Sequence, residues 1–203
     1  MHPTAGAGVV ESACGDHARF RRPRLNVSAR CQSGVPHSQP LLFTHSLPRR
    51  TPILLTERKD HLEYFAHRLR GDARHLVVLR GGMTPTARRA AFATLAAIPD
   101  DEPRLVLATG RYIGEGFDDA RLDTLFLAMP VSWKGTLVQY TGRLHRLYPG
   151  KTEVRIYDYV DREIPMLHRM FEKRLRGYRA IGYARDSVPA GYEEANTEPV
   201  VTG

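Results

Sequence analysis

The chain of 203 residues is long enough for one domain of ordinary size, with some residues to spare. Hydrophobic residues make up 42% and charged residues 26%, which is typical of a globular protein with a buried core. The formal net charge of +8 favours a polyanionic partner, and nucleic acid is favoured over membrane because no stretch approaches the roughly 20 apolar residues of a spanning helix.

The first 50 residues contain five prolines, scattered glycine and serine, and no sustained apolar period. Such a segment buries too little apolar surface to offset its ordering entropy, so we predict a flexible or disordered arm over 1–50. Cys14 and Cys31 lie here, outside any CxxC or zinc-ligand spacing. We therefore expect no disulfide framework and no metal site. The absence of an apolar signal-like segment predicts a cytoplasmic protein.

From residue 51 the pattern changes to short apolar runs that alternate with amphipathic stretches. The predicted strands are 53–56, 76–79, 105–108, 125–128 and 154–159. The predicted helices are 58–69, a helix that begins at Pro85 with Thr84 as its cap, 134–147 and 164–180. This alternation predicts an α/β domain over 51–183, with a mainly parallel sheet and helices on both faces. The residues from 184 to 203 are predicted to form a flexible tail.

Ligands of such sheets bind at the carboxyl ends of the strands. The segment 108–118, Ala-Thr-Gly-Arg-Tyr-Ile-Gly-Glu-Gly-Phe-Asp, follows one of these ends. Thr109 and nearby backbone amides can bond phosphates there, and Asp118 offers a carboxylate to a ribose hydroxyl or to an arginine. Taken alone, a glycine-rich loop of this kind is more often a turn than a site.

The segment 139–146, Gln-Tyr-Thr-Gly-Arg-Leu-His-Arg, carries the strongest signal. Gln139, Arg143 and Arg146 fall within a narrow angular range on a helix of 3.6 residues per turn. Gly142 beside them lets a ligand or a facing domain come close. Two guanidiniums on one rigid face are what stabilisation of a transferring phosphoryl group requires, and a solvated basic helix face is the alternative.

Together these segments resemble the second motor domain of a superfamily 2 helicase. The segment 108–118 is similar to motif V of the family, and 139–146 matches the Q-x-x-G-R-x-x-R form of motif VI. The segment 53–56 is similar to motif IV. The resemblance covers about residues 51–160, and it implies a RecA-like three-layer sandwich with a parallel sheet of about five to six strands.

The resemblance implies roles for individual residues at an ATP site shared with another domain. Arg143 and Arg146 would reach the γ-phosphate of ATP, and Gln139 would position the nucleotide or its attacking water. Asp118 would contact the ribose or brace an arginine, and Gly116 would permit that approach. Gly142 is placed with the ATP-binding residues.

The resemblance also implies that strand-end residues contact the nucleic-acid backbone. These residues are Thr56, Arg80, Gly81, Thr109 and Gly110. Tyr140 and His145 occupy positions that motif VI leaves variable, and we expect them to be packing or surface residues.

The chain departs from a complete helicase in one respect. It contains no G-x-x-x-x-G-K-[ST] loop and no Asp-Glu pair after a suitable upstream strand. We therefore expect it to bind ATP and Mg²⁺ only with a first motor domain, supplied in cis or in trans, and not to hydrolyse ATP alone. It would be a fragment or a partner of a chain that carries the phosphate-binding loop.

Two other functions stay open on the sequence. The first is a non-catalytic nucleic-acid-binding module that retains the helicase fold. The second, an unrelated nucleotide-dependent enzyme, is disfavoured for dinucleotides because Thr-Glu-Arg-Lys-Asp stands at 56–60 in place of a G-x-G-x-x-G loop. The choice between DNA and RNA is also open.

Overall fold

The strands pair side by side in a single parallel sheet, in a computed structural model that describes residues 23–29, 50–71, 73–110, 117–128, 137–160 and 164–185. The strands are β1 Arg24–Ala29, β2 Pro52–Thr56, β3 His75–Leu79, β4 Arg104–Thr109, β5 Thr124–Leu127, β6 Arg155–Val160 and β7 Ala184–Arg185. The helices in these ranges are α1 Lys59–Arg68, α2 Pro85–Ala97, α3 Val138–Leu144 and α4 Pro165–Ala180.

The sheet order is β3-β4-β2-β5-β6-β1-β7, with parallel pairing at every step. α1 connects β2 to β3 at one end of the sheet. The connections that contain α2, α3 and α4 lead back across the sheet, from β3 to β4, from β5 to β6 and from β6 to β7. Right-handed crossovers then place α1 on one face and the other three helices on the opposite face. The expected α/β RecA-like sandwich is therefore confirmed, and β1 and β7 extend the sheet beyond the five predicted strands.

Each central strand contributes to two separate cores because alternate side chains point to opposite faces. Leu54 and Phe126 pack with Leu62 of α1 in one core. Leu55 and Leu125 belong to the other core, which α2, α3 and α4 cover. Burial on both faces explains why these strands read as continuous apolar runs in the sequence.

The second helix begins as its sequence predicts. The Thr84 side chain accepts a hydrogen bond from the Ala87 amide at 3.2 Å, and Pro85 takes the first helical position. Such a cap stabilises a helix by about 1 kcal/mol.

The helix predicted over 134–147 is shorter at its C-terminus than expected. α3 ends at Leu144, and the Arg146 amide bonds the Arg143 carbonyl three residues back at 3.3 Å. Arg146 thus lies in a turn after the helix, which the angular argument did not anticipate, because 3.6-residue periodicity does not report where a helix ends. Residues 134–136 lie outside the described residues.

The predicted flexible arm contains a strand. β1 pairs with β6 from Arg24 opposite Arg155 to Ala29 opposite Val160, and Leu25 is buried. The prediction over 24–29 was therefore wrong, because pairing with a strand about 130 residues away has no signature in local composition. Similarly, β7 lies within the predicted tail. Residues 1–22, 30–49 and 186–203, with Cys14 and Cys31, lie outside the described residues.

A buried ion pair joins α4 to the sheet. Arg174 donates two hydrogen bonds to the Asp158 carboxylate of β6, from Nε at 2.8 Å and from Nη2 at 2.9 Å. The Tyr178 hydroxyl donates a third at 3.1 Å, and all three residues are at most 1% exposed. Burial beside this carboxylate raises the pKa of Tyr178 well above its usual value, so the hydroxyl stays a donor.

Removing one partner of this pair leaves a buried charge without its counter-ion. We predict that Arg174→Ala lowers the free energy of unfolding by about 3–5 kcal/mol, measured by urea denaturation. Arg176→Ala is the matched control on the same helix, where an exposed side chain should change stability by about 0.5 kcal/mol or less. Equal effects of the two replacements would show that the pair does not anchor α4.

Candidate functional site

The segments that follow the central strands meet at the carboxyl edge of the sheet, as the parallel pattern predicts. The Gly110 amide donates to the Thr56 carbonyl at 3.0 Å, and the Ala128 amide donates to the Leu55 carbonyl at 2.9 Å. The Gly81 amide donates to the Thr109 hydroxyl at 3.0 Å. These bonds fix the starts of loops that are far apart in the sequence, as Leu55 and Ala128 are.

Two of the strand-end threonines lie below the surface. Thr56 is 0% and Thr109 6% exposed. Among the described residues, the Thr56 hydroxyl has no hydrogen-bond partner, and the Thr109 hydroxyl holds the Gly81 amide. This differs from the direct nucleic-acid contact that the sequence analysis assigned to them, because both strand ends are covered on both faces of the sheet. In this structure Thr109 positions the loop after β3.

The other strand-end residues differ in how open they are. Gly110 is buried, and its amide and carbonyl are both bonded within the protein. Gly81 is half-buried. The Arg80 side chain is exposed, with Nη1 3.6 Å from the Glu63 carboxylate on α1. Arg80 is therefore the charged group of this set that points to solvent.

Three contacts join α3 and its following turn to the segments around β4 and β5. The Tyr140 hydroxyl donates to the Gly110 carbonyl, Arg143 Nη1 donates to the Phe117 carbonyl, and Arg146 Nη1 pairs with the Asp118 carboxylate. The two regions that the sequence analysis treated as separate motifs are thus in direct contact.

Five residues on this side of α3 form what we call the arginine face. They are Asp118, Gln139, Gly142, Arg143 and Arg146. Gln139 and Gly142 are exposed, and Arg143 is half-buried. Apart from the neighbours of Gly142 in the chain and its own helix backbone, no heavy atom of a described residue lies within 4 Å of the position that a side chain at Gly142 would take. The arginine face is therefore open to an approaching group. Gly116 lies outside the described residues.

Comparison with known proteins bears on the fold. No protein-family model matches the chain, and no curated protein matches it. The C-terminal part of the Fun30 ATPase domain aligns at a TM-score of 0.53, with 14% identity over 80% of this chain. This chain spans 48% of that one.

Two DEAD-box proteins align as well. The C-terminal domain of Dbp5 gives a TM-score of 0.57 at 11% identity, covering 82% of this chain and 90% of that one. Domain 2 of the Mss116p DEAD-box helicase, bound to an RNA duplex, gives 0.51 at 13% identity, covering 87% and 70%. The chain shares the α/β fold of these helicase domains.

Within this fold, Tyr140 and His145 pack against neighbouring groups of the protein. Tyr140 is 3% exposed, and burial with the nearby Glu57 raises its pKa to about 12, so its hydroxyl remains a donor to Gly110. The His145 ring packs edge-on against Tyr183 at 5.5 Å, and burial lowers its pKa. The expectation that Tyr140 packs is confirmed.

Sequence reasoning missed the group that supports Asp118. Arg121 donates two hydrogen bonds to the Asp119 carboxylate, at 2.8 and 2.9 Å, and others to the Leu95 and Ile98 carbonyls at the end of α2. The loop that carries Asp118 is therefore held against α2. An acidic residue two positions before an arginine is the sole signal in the sequence, and it is too common to be informative.

Lys151 bonds both the loop that carries Asp118 and the turn that carries Arg146. Its ammonium donates to the Ala120 carbonyl at 3.0 Å and to the Arg146 carbonyl at 2.9 Å. Burial lowers the pKa of Lys151 to about 8, against the opposing effect of Asp123 and Asp119. One half-buried cation thus bonds the backbone on both sides of the Arg146–Asp118 pair.

The described residues carry no feature of two other site classes. None of their helices is long and apolar enough to cross a membrane. Within the same ranges, no group of three or more His, Cys, Asp or Glu side chains could hold a metal ion.

The lowered pKa of Lys151 predicts a dependence of stability on pH. Between about 8 and the ordinary value of 10.5, the unfolded chain binds more protons than the folded chain, so the contribution of Lys151 to stability rises with pH. We predict that the free energy of unfolding of the wild type, relative to Lys151→Met, increases across this interval. Lys173→Met, on the exposed side of α4, controls for loss of one lysine. An identical pH dependence in both variants would contradict the assignment.

Proposed function

We propose that the chain is the second motor domain of an ATP-dependent helicase and presents Arg143 and Arg146 to the phosphates of a nucleotide held by a first motor domain. One observation carries this proposal. Both guanidiniums bond to adjacent residues, Phe117 and Asp118, on an open face that also exposes Gln139. Residues that are about 25 positions apart in the sequence are thus assembled around one point.

This arrangement fits the demands of phosphoryl transfer, in which catalysis rests on positioned cations and not on covalent chemistry by the protein. Arg143 donates to the backbone carbonyl of Phe117, and this contact holds its guanidinium on the arginine face. Arg146 is paired with Asp118, but the side chains are 52% and 45% exposed. Such a pair contributes about 0–1 kcal/mol, so Arg146 can exchange Asp118 for a phosphate with little loss.

The remaining parts of an ATP site would come from elsewhere. The chain lacks a phosphate loop in its sequence, so ATP and Mg²⁺ would be held by the first motor domain in cis or in trans. Gly142 lets that domain approach the arginine face closely. Asp118, once released by Arg146, is free to accept from a ribose hydroxyl, and Gln139 is placed to orient the nucleotide or a water.

The nucleic-acid backbone would run over the loops at the carboxyl edge. Arg80 supplies the exposed charge there, and the loop glycine Gly81 is held by the buried Thr109. Two further observations support this partner, namely the net charge of +8 and the RNA duplex bound by the similar domain 2 of Mss116p. Contacts of this kind are made to phosphates and carry little sequence preference.

Because the sequence contains no phosphate loop, we predict that the isolated chain does not hydrolyse ATP. Purified alone, the chain should show no ATPase activity above background, with or without nucleic acid, in a steady-state phosphate-release assay. Addition of a first motor domain that carries a phosphate loop should produce turnover. Hydrolysis by the isolated chain that survives repurification would contradict the proposal.

In the presence of a first domain, we predict that Arg143→Ala or Arg146→Ala reduces ATP turnover by up to about 10³–10⁵, the effect of an arginine finger in phosphoryl-transfer enzymes. Lys at either position should also be a serious loss because the planar fork of donors is absent. Nucleic-acid affinity should change little, since neither arginine is among the residues that we propose to contact nucleic acid.

The control is Arg89→Ala, which removes an exposed arginine from α2. Arg155 carries the same charge, but it is less suitable because it pairs with the buried Glu153 at 2.6 Å. If Arg89→Ala reduced turnover as much as the motif variants did, the effect would be general electrostatics. If the motif variants left turnover unchanged, a non-catalytic nucleic-acid-binding module would be the better account.

A further inference from the structure

The outer side of α4 carries a row of cations, which we call the basic stripe: Arg169, Lys173, Arg176 and Arg179. All four residues are exposed. On a helix of 3.6 residues per turn they fall within an arc of about 120° and extend over about 15 Å along the axis. The stripe is therefore a fixed linear array of positive charge.

The described residues do not neutralise this array. None of its four cations forms an ion pair with a described acidic group, in contrast to Arg50, Arg121 and Arg174, which all do. The acidic residue of the helix, Glu172, lies 4.0 Å from His168. Helix-dipole stabilisation accounts for cations in the last turn, where Arg179 lies, but not for Arg169 and Lys173 in the body of the helix.

The residues on the inner side of α4 indicate whether the basic stripe suits a lipid surface or a nucleic acid. Phe171, Leu175 and Tyr178 are buried in the core, and Arg174 is bonded to Asp158. The apolar face of α4 is thus buried in the protein. The large apolar side chains of this segment that remain exposed, Ile164, Met166 and Ile181, lie at the two ends of the helix and do not form the continuous apolar face that amphipathic membrane-binding helices insert into lipid. A rigid row of cations without an apolar face instead matches the row of phosphates of a nucleic acid.

We infer that the basic stripe binds the phosphate backbone of nucleic acid, as a second surface distinct from the loops at the carboxyl edge. α4 begins just after the carboxyl end of β6 and packs across one face of the sheet. A strand that leaves the carboxyl edge therefore meets the stripe without a change of domain. This binding needs neither ATP nor the arginine face, so it stands apart from the proposed arginine fingers.

The test compares two variants of equal charge. The stripe variant is Arg169→Gln, Lys173→Gln and Arg176→Gln, and it retains Arg179 because that residue lies in the last turn. The control variant is Arg68→Gln, Arg70→Gln and Arg74→Gln, at exposed positions at and after the end of α1. Each lowers the net charge by three, and glutamine has nearly the helix propensity of lysine and arginine. Thermal melts establish that both variants fold.

Binding of the full chain to fluorescein-labelled oligothymidylate and oligouridylate of about 20 nucleotides is measured by anisotropy across a salt series. For the stripe variant we expect a slope of log affinity against log salt that is shallower by about 2, since each single-strand phosphate contact contributes about 0.7. Its affinity at low salt should fall at least about tenfold, and the control variant should fall by less than about threefold.

Equal losses of oligonucleotide affinity in the two variants would show that net charge alone explains binding, and they would overturn the inference. Unchanged affinity in both variants would overturn it as well. A second experiment measures binding of the protein to vesicles that contain anionic phosphatidylserine. Binding of the wild type to these vesicles, abolished in the stripe variant while oligonucleotide binding persists, would assign the stripe to a lipid surface instead. Because no first domain or nucleotide is present, none of these outcomes depends on the proposed ATP role.

Discussion

Parallel pairing of β4, β2 and β5 is the constraint on which the site depends. Since all three strands run in one direction, their carboxyl ends emerge at one edge, and the Thr56 and Leu55 carbonyls bond the amides of Gly110 and Ala128 there. The segments after β2, β3, β4 and β5 meet only because of this register. A slip of one residue would turn every side chain of a strand to the opposite face and separate the two cores.

Two Arg–Asp pairs of the protein differ in how deeply they are buried, and they therefore differ in how much they contribute to stability. Arg174 and Asp158 are almost fully enclosed, and three hydrogen bonds satisfy the carboxylate. Losing one partner there costs several kcal/mol, so the pair is structural. Arg146 and Asp118 are about half-exposed, and water compensates most of what their separation loses. The exchange of a carboxylate for a phosphate that we propose for Arg146 needs the second environment. The Arg146 side chain lies at the surface, and Lys151 bonds its backbone carbonyl.

The sequence was most informative where a pattern is local. Strands buried on both faces produce apolar runs, and the Thr84 cap and the Gln139–Arg143 spacing are readable within one or two helical turns. β1 could not be predicted, because its pairing with β6 is non-local and its residues are mixed in polarity. The end of α3 at Leu144 was also missed, since residues beyond it keep a helical apolar period. Lys151 and Arg121 act on backbone carbonyls, and such bonds leave no trace in the sequence.

The most direct test of the account is a structure of the chain with a first motor domain, ADP, Mg²⁺ and aluminium fluoride, which mimics the transferring phosphoryl group. The account predicts that the guanidiniums of Arg143 and Arg146 both lie within hydrogen-bond distance of the fluoride, with Arg146 released from Asp118. A complex in which Arg146 stays on Asp118 and neither arginine reaches the fluoride would contradict it.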